Sequence, residues 1–173
     1  MLMKWLRENT VSAALLTVIR LFLGYQWLTA GFHKISDGFD ASGFLQGAVA
    51  NPVKGPDGVV YGWWTSFLEG FALPNADLFN VLIPWGEFLV GLGLILGCFT
   101  TAAAFFAIVM NFSFLLSGTV SHNPTDIIMG MIILVAGYNA GKFGLDHYVI
   151  PFLRKKVGGN IKHQNDKKLS NAS

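Results

Sequence analysis

The chain has 173 residues, 53 % of them apolar and 13 % charged, about half the charge of an ordinary soluble domain. Seven of its 12 Lys and Arg lie at or after Lys142 and two lie before Thr10, leaving Arg20, Lys34 and Lys54 for the whole middle. This composition excludes a soluble enzyme, a nucleic-acid binder and a disordered chain, and the single Cys98 excludes a disulfide framework, a CxxC redox centre and a multi-cysteine metal or iron–sulfur site.

A helix needs about 20 mainly apolar residues to cross about 30 Å of hydrocarbon. The first such stretch covers about residues 12–32 and contains Arg20. It reads as a retained signal anchor: it is too long for a leader, and His33-Lys34 follow it in place of a small-residue cleavage site. A long loop, 33–77, comes next, with turn material at Asn51-Pro52 and Lys54-Gly55-Pro56-Asp57-Gly58. Within it Val60, Trp63, Trp64, Phe67, Leu68 and Phe71 recur at helical spacing, which predicts an amphipathic helix lying flat on the outer surface over the bundle. Further spans are expected at about 78–97 with Glu87 inside, 101–116 with Asn111 inside, and 124–138. Cys98 falls in the tight turn between the second and third as a small packing residue.

The expected fold class is therefore all-α and integral to the membrane: a four-transmembrane-helix bundle over residues 1–157 with an amphipathic extracytoplasmic helix in the first loop. Residues 158–173 read as a polar, basic, disordered cytoplasmic tail. Basic residues concentrate at both ends of the chain, whereas the loop from Lys34 to Asp77 sets two lysines against five carboxylates. The positive-inside rule then places both termini in the cytoplasm, which needs an even number of spans.

Arg20, Glu87 and Asp126 are the charges that hydrocarbon disfavours, by at least about 2.5 kcal/mol each near the bilayer centre. Depths counted from the span ends suggest an Arg20–Glu87 pair, which either fixes helix register or forms part of a buried polar site for a proton-coupled or quinone-like ligand. Arg20, Gly24, Trp27, Gly31 and Lys34 share one helical stripe, facing the bundle interior as packing or as ligand space. Asn123-Pro124-Thr125-Asp126 has the form of a helix start, with Asn as cap and Asp in the first turn. His122 beside it is a loop histidine. Lys34, with His33 at the outer end of the first span, suggests contact with a lipid phosphate or another anion. No spacing among His33, His122, Glu87 and Asp126 argues for a metal.

Taken together, Arg20-x3-Gly24, Gly31-Phe32-His33-Lys34, Gly43-Phe44-Leu45, Trp64, Gly86-Glu87-x3-Gly91-Leu92, Asn123-Pro124 and Gly144-Leu145-Asp146 form a recognisable set. The chain resembles the DoxX/DoxD family of small four-helix bacterial and archaeal membrane proteins over about Val11 to Asp146. Its long aromatic loop looks more like the DoxD type, the membrane subunit of thiosulfate:quinone oxidoreductase. The resemblance implies a bacterial plasma membrane location and, in that enzyme, a separate partner subunit with electrons passing from thiosulfate to a membrane quinone. Other members belong to oxidative-stress or quinone-detoxification systems with no catalytic activity assigned.

Two functions follow as expectations. One is a subunit of a redox complex with a quinone site, in which Glu87 and Arg20 are the acid and the positive donor. Trp27 and Trp85 would then form its aromatic wall, with Trp64 as lid and Lys34, His33, Asn111 and Asp126 as further ligand-binding residues. The other is a non-enzymatic membrane scaffold that recruits a soluble stress enzyme. No covalent cofactor is expected. The expected partners are the lipid bilayer, a second redox subunit or a stress enzyme, and further copies of the chain, with no nucleic acid. A small transporter is disfavoured because four spans without a repeated half leave little room for alternating access.

Overall fold

The computed structural model describes residues 1–156, so the expected basic tail lies outside the described residues. The fold is mostly helical. A short α1 (Leu2–Glu8) turns at Asn9 into α2 (Thr10–Asp37), the longest helix at 28 residues. Asn9 is its cap: Oδ1 accepts from the backbone N–H of Val11 at 2.8 Å and of Ser12 at 3.2 Å. The bundle continues with α5 (Ala76–Leu96), α6 (Thr100–Leu116) and α7 (Asn123–Ala136). After a break at Gly137 the chain adds α8 (Tyr138–Gly141) and a helical stretch at 146–156. By length and apolar content α2 and α5 each suffice to cross a membrane, while α6 and α7 are shorter apolar helices.

The packing centres on two antiparallel pairs, α2 with α5 and α6 with α7. The first pair is close because glycine faces backbone at the crossing. A Cβ on Gly91 would overlap the backbone of Leu28, and one on Gly31 would overlap that of Phe88. The stripe read from the sequence is indeed the inward face of α2: Arg20, Gly24, Trp27 and Gly31 are buried and Lys34 is half-buried. Leu16, Leu23, Val90, Leu94, Ala104 and Ile133 fill the core between the helices. At the end carrying α1, the Asn139 amide donates to the carbonyls of Leu6 (2.9 Å) and Asn9 (3.0 Å), and Arg7 Nε donates to Val135 O at 2.9 Å. These bonds tie the start of the chain to the α7–α8 corner; we call this end the terminal end and the opposite one the loop end.

The 33–77 segment is more structured than its sequence pattern suggests. It contains an unexpected helix α3 (Ala41–Ala50), capped by Asp40, whose Oδ1 accepts from Ser42 N at 2.9 Å. That bond holds the Asp40 carboxyl below its ordinary pKa. The Asn80 side chain accepts from Ala41 N at 2.7 Å and fastens α3 to α5. The predicted turn at Lys54–Gly58 forms a small hairpin of β1 (Lys54–Gly55) and β2 (Gly58–Val59). The single amphipathic helix expected over 60–71 is two pieces, α4 (Gly62–Phe67) and a π-helical turn at Leu68–Ala72. The wider turn rotates the register, so Leu68 and Ala72 pack onto Ala41, Leu45 and Ala48 of α3. Of the predicted apolar stripe, Val60, Trp63, Phe67 and Phe71 stay exposed. Trp64, Phe67 and Phe71 instead stack on one another with ring centroids 5.1 and 5.5 Å apart.

Candidate functional site

The expected Arg20–Glu87 pair is absent. Gly24 meets Leu94 and Ile95, Leu28 meets Gly91 and Gly31 meets Phe88, so the antiparallel register puts Arg20 beside the last turn of α5. Arg20 Nη1 donates there to the carbonyls of Leu94 at 2.6 Å and Ile95 at 3.2 Å. Glu87 lies toward the loop end and takes its partner from the same stripe of α2: Lys34 Nζ donates to Glu87 Oε2 at 2.6 Å. The two cations are fourteen residues apart on α2, about 21 Å at 1.5 Å per residue. Depths counted from span ends missed this because α2 begins and ends beyond its most apolar part.

Arg20 works with Asp146. Asp146 accepts through Oδ1 from Phe99 N at 2.7 Å and through Oδ2 from Thr100 N at 2.9 Å, capping α6. Its own N–H donates to Gly97 O at 2.7 Å, and Leu145 N–H donates to Leu96 O at 3.0 Å. Gly97 ends α5 in the left-handed conformation, and a Cβ there would overlap the Arg20 guanidinium. A cation on the free carbonyls of α5 and an anion on the free N–H groups of α6 match both helix dipoles. The Gly144-Leu145-Asp146 motif is thereby a clamp on the α5–α6 turn.

At the loop end a pocket of about 250 Å³ opens between α2, α5, α6 and the start of α7. It gathers Trp27, Lys34, Glu87, Asn111 and Asp126 from the expected site residues, and adds Gln26 and His122. Asp126 is buried in the first turn of α7, and its Oδ2 lies 2.5 Å from Nδ1 of His122. The His122 side chain is 63 % exposed and that of Asp126 only 2 % exposed, so this pair joins the surface to the pocket. His122, not Asn123, is the residue preceding α7; the Asn123 amide donates back to Thr119 O at 2.8 Å. Trp27 Nε1, Asn111 Nδ2 and Gln26 Oε1 are buried with no hydrogen-bond partner among the described residues. A buried polar atom left unpaired costs about 1–3 kcal/mol, and here three such atoms belong to residues lining one pocket.

Besides Arg20, three expected residues are elsewhere. Trp85 is 50 % exposed and edges onto Phe88; two residues from Glu87, it points to the opposite side of the helix. His33 is exposed and lies 3.6 Å from Asp37 one turn on. Trp64 is not a lid on the polar pocket: its Nε1 donates to Ser117 Oγ at 3.0 Å, beside a separate apolar groove. Lys34 is engaged by Glu87 and by the face of Phe39, 5.8 Å from Nζ, rather than turned toward a lipid phosphate. Gln26 was legible as a polar residue in an apolar helix, next to Trp27. His122 was read as a loop histidine; its contact with the pocket depends on α7 turning Asp126, one turn on, inward. No three of His, Cys, Asp and Glu among the described residues gather as metal ligands.

A DoxX family model matches residues 15–117, more than half of the chain and most of the helical bundle, and the chain belongs to this family. No curated protein and no solved structure gave a match.

Proposed function

We propose that this DoxX-family membrane protein is a subunit of a redox complex and holds a quinone head group in the loop-end pocket. The reading rests on one observation: two buried N–H donors without a partner, Trp27 Nε1 and Asn111 Nδ2, belong to residues that line a pocket also lined by the Lys34–Glu87 pair. A head group with two carbonyl acceptors complements two unpaired donors, and apolar Ala30, Phe44, Ile83 and Phe114 supply walls for its ring. When bound, a quinone supplies an acceptor for two electrons and two protons. The electrons come from a separate partner subunit, with thiosulfate as the donor suggested by the DoxD-like loop. Lys34 holds the Glu87 carboxylate in place by a charge-assisted bond. Glu87 exchanges protons with the ligand side of the pocket. His122 and Asp126 carry protons between the surface and the pocket interior.

The arrangement in the membrane belongs to the same proposal. Four helices cross the plasma membrane, with the terminal end cytoplasmic and the loop end outside. At 1.5 Å per residue α6 spans about 26 Å and α7 about 21 Å; α8 extends the fourth crossing toward the about 30 Å of a hydrocarbon core. Reporters fused after Asp57 and at the C-terminus give opposite signals in this topology, and matching signals overturn it.

The functional test is equilibrium binding of a benzoquinone to the purified protein in nanodiscs, followed by thiosulfate-driven quinone reduction with the partner subunit. Asn111→Leu is expected to weaken binding about tenfold, the equivalent of one lost hydrogen bond at about 1.4 kcal/mol. Glu87→Gln is expected to retain binding and lose turnover. A wild-type protein that binds no quinone overturns the reading.

A further inference from the structure

A second cavity adjoins the polar pocket. It is a groove of about 830 Å³ along α5 and α6, floored by Val90, Gly93 and Ala103 and reaching α4 at Trp64. Phe44, Ile83 and Phe114 line both cavities, so these side chains form a shared wall. The two spaces differ sharply in what they leave unsatisfied. The groove's hydroxyls are engaged: Ser117 Oγ donates to Ser113 O and accepts from Trp64 Nε1, and Ser113 Oγ donates to Val109 O. The remaining lining is apolar, and Cys98 at the far end is its only thiol. Residues lining the polar pocket, in contrast, include buried donors without a partner.

Size separates them as well. Small-molecule sites commonly occupy about 300–1,000 Å³. The polar pocket, about 250 Å³, accommodates a head group and little more, whereas the groove has room for a hydrocarbon chain. We infer that the groove is the tail site of the same ligand: a prenyl or alkyl chain attached to the quinone ring passes the Phe44–Ile83–Phe114 wall and lies along α5 and α6. This inference rests on the head-group reading above and adds the ligand class, a quinone with a long apolar substituent. Leu89 and Val109, both exposed, form part of the groove's lining and are absent from the polar pocket.

Two probes and two variants test it, all with the full chain in nanodiscs of one lipid composition. The probes are a dimethoxy-methyl-benzoquinone without a side chain and the same head carrying a decyl chain. Leu89→Trp and Val109→Trp place bulk in the groove from positions that already face outward. The expected result is about a tenfold loss of affinity for the decyl probe in either variant, equal to about two buried methylene groups, with the chainless probe unaffected. Partition of the decyl probe into the bilayer is the same for every variant and cancels. If both variants bind both probes as the wild type does, the groove holds ordinary lipid and the inference is overturned, while the head site stands. Equal losses for both probes also overturn it, because the groove is then not a separate subsite. If neither probe binds the wild type, the head-group reading fails and the tail site with it.

Discussion

At the terminal end of the bundle, Arg20 and Asp146 direct their bonds at backbone: carbonyls at the end of α5 and N–H groups at the start of α6. At the loop end, Lys34 and Glu87 bond to each other, and the donors around them, Trp27 and Asn111, bond to nothing in the described chain. The first cluster has the character of masonry. Its charges sit where helix ends leave free groups; Thr100 and Asp146 line a cavity of about 480 Å³ there, but of the donors left over, Arg20 Nε belongs to a residue outside that lining and only Thr100 Oγ1 to one within it. The second cluster surrounds a pocket. Each place sets a cation near a buried carboxylate, so charge does not separate the two clusters; the destination of the hydrogen bonds does.

The largest effect is expected at the clamp. Arg20→Met and Asp146→Leu are each expected to lower the unfolding free energy by about 3–5 kcal/mol, the scale of an interrupted buried charge network. Quinone binding by the protein that remains folded should be unchanged. A thermal melt and a binding isotherm on the same samples measure both, and a selective loss of binding would move the site to the terminal end.

The pairing itself is the next target. Lys34→Met leaves Glu87 buried without its cation and is expected to cost about 3 kcal/mol; adding Glu87→Gln should restore part of that. Arg20→Met combined with Glu87→Gln should instead be additive within about 0.5 kcal/mol, as for residues with no shared partner. Non-additivity in this second pair would restore the Arg20–Glu87 contact.

At the pocket the expected effects on stability and binding run in opposite directions. Trp27→Phe removes an unpaired buried N–H, so stability is expected to change by less than about 1 kcal/mol, or to rise, while quinone affinity falls. A loss of stability with affinity intact would assign Trp27 to the core alone.

The smallest effect belongs to α3. The Asp40 carboxyl has a lowered pKa because it accepts from Ser42 N. Its support for the helix is therefore full above the ordinary carboxylate pKa and is lost as pH falls through the lower folded value. Protection factors of the amides at residues 41–45, which are corrected for the intrinsic pH dependence of exchange, should fall at acid pH in the wild type, and Asp40→Ala should show the low protection at neutral pH.

Much of this was legible in the residues. Apolar runs, glycine spacing and the inward stripe from Arg20 to Lys34 follow from helical period alone, and they specified the four long bundle helices and the buried face of α2 with Trp27 and Lys34, while Glu87, Asn111 and Asp126 stood out as polar residues within apolar spans. The same arithmetic could not choose among partners. Arg20 and Lys34 occupy one stripe, and only the register of α5 against α2, set where Gly31 and Gly91 admit the opposing backbone, decides which of them reaches Glu87. The π turn at Leu68–Ala72 likewise breaks a periodic pattern that a regular helix would have obeyed, because α3 offers a surface on which Leu68 and Ala72 can be buried. Trp85 shows the limit most simply. Its type and depth suit a pocket wall, yet two residues of helix from Glu87 are enough to turn it outward. Sequence spacing determined which residues share a face of one helix; the close approach of two helices decided which faces meet.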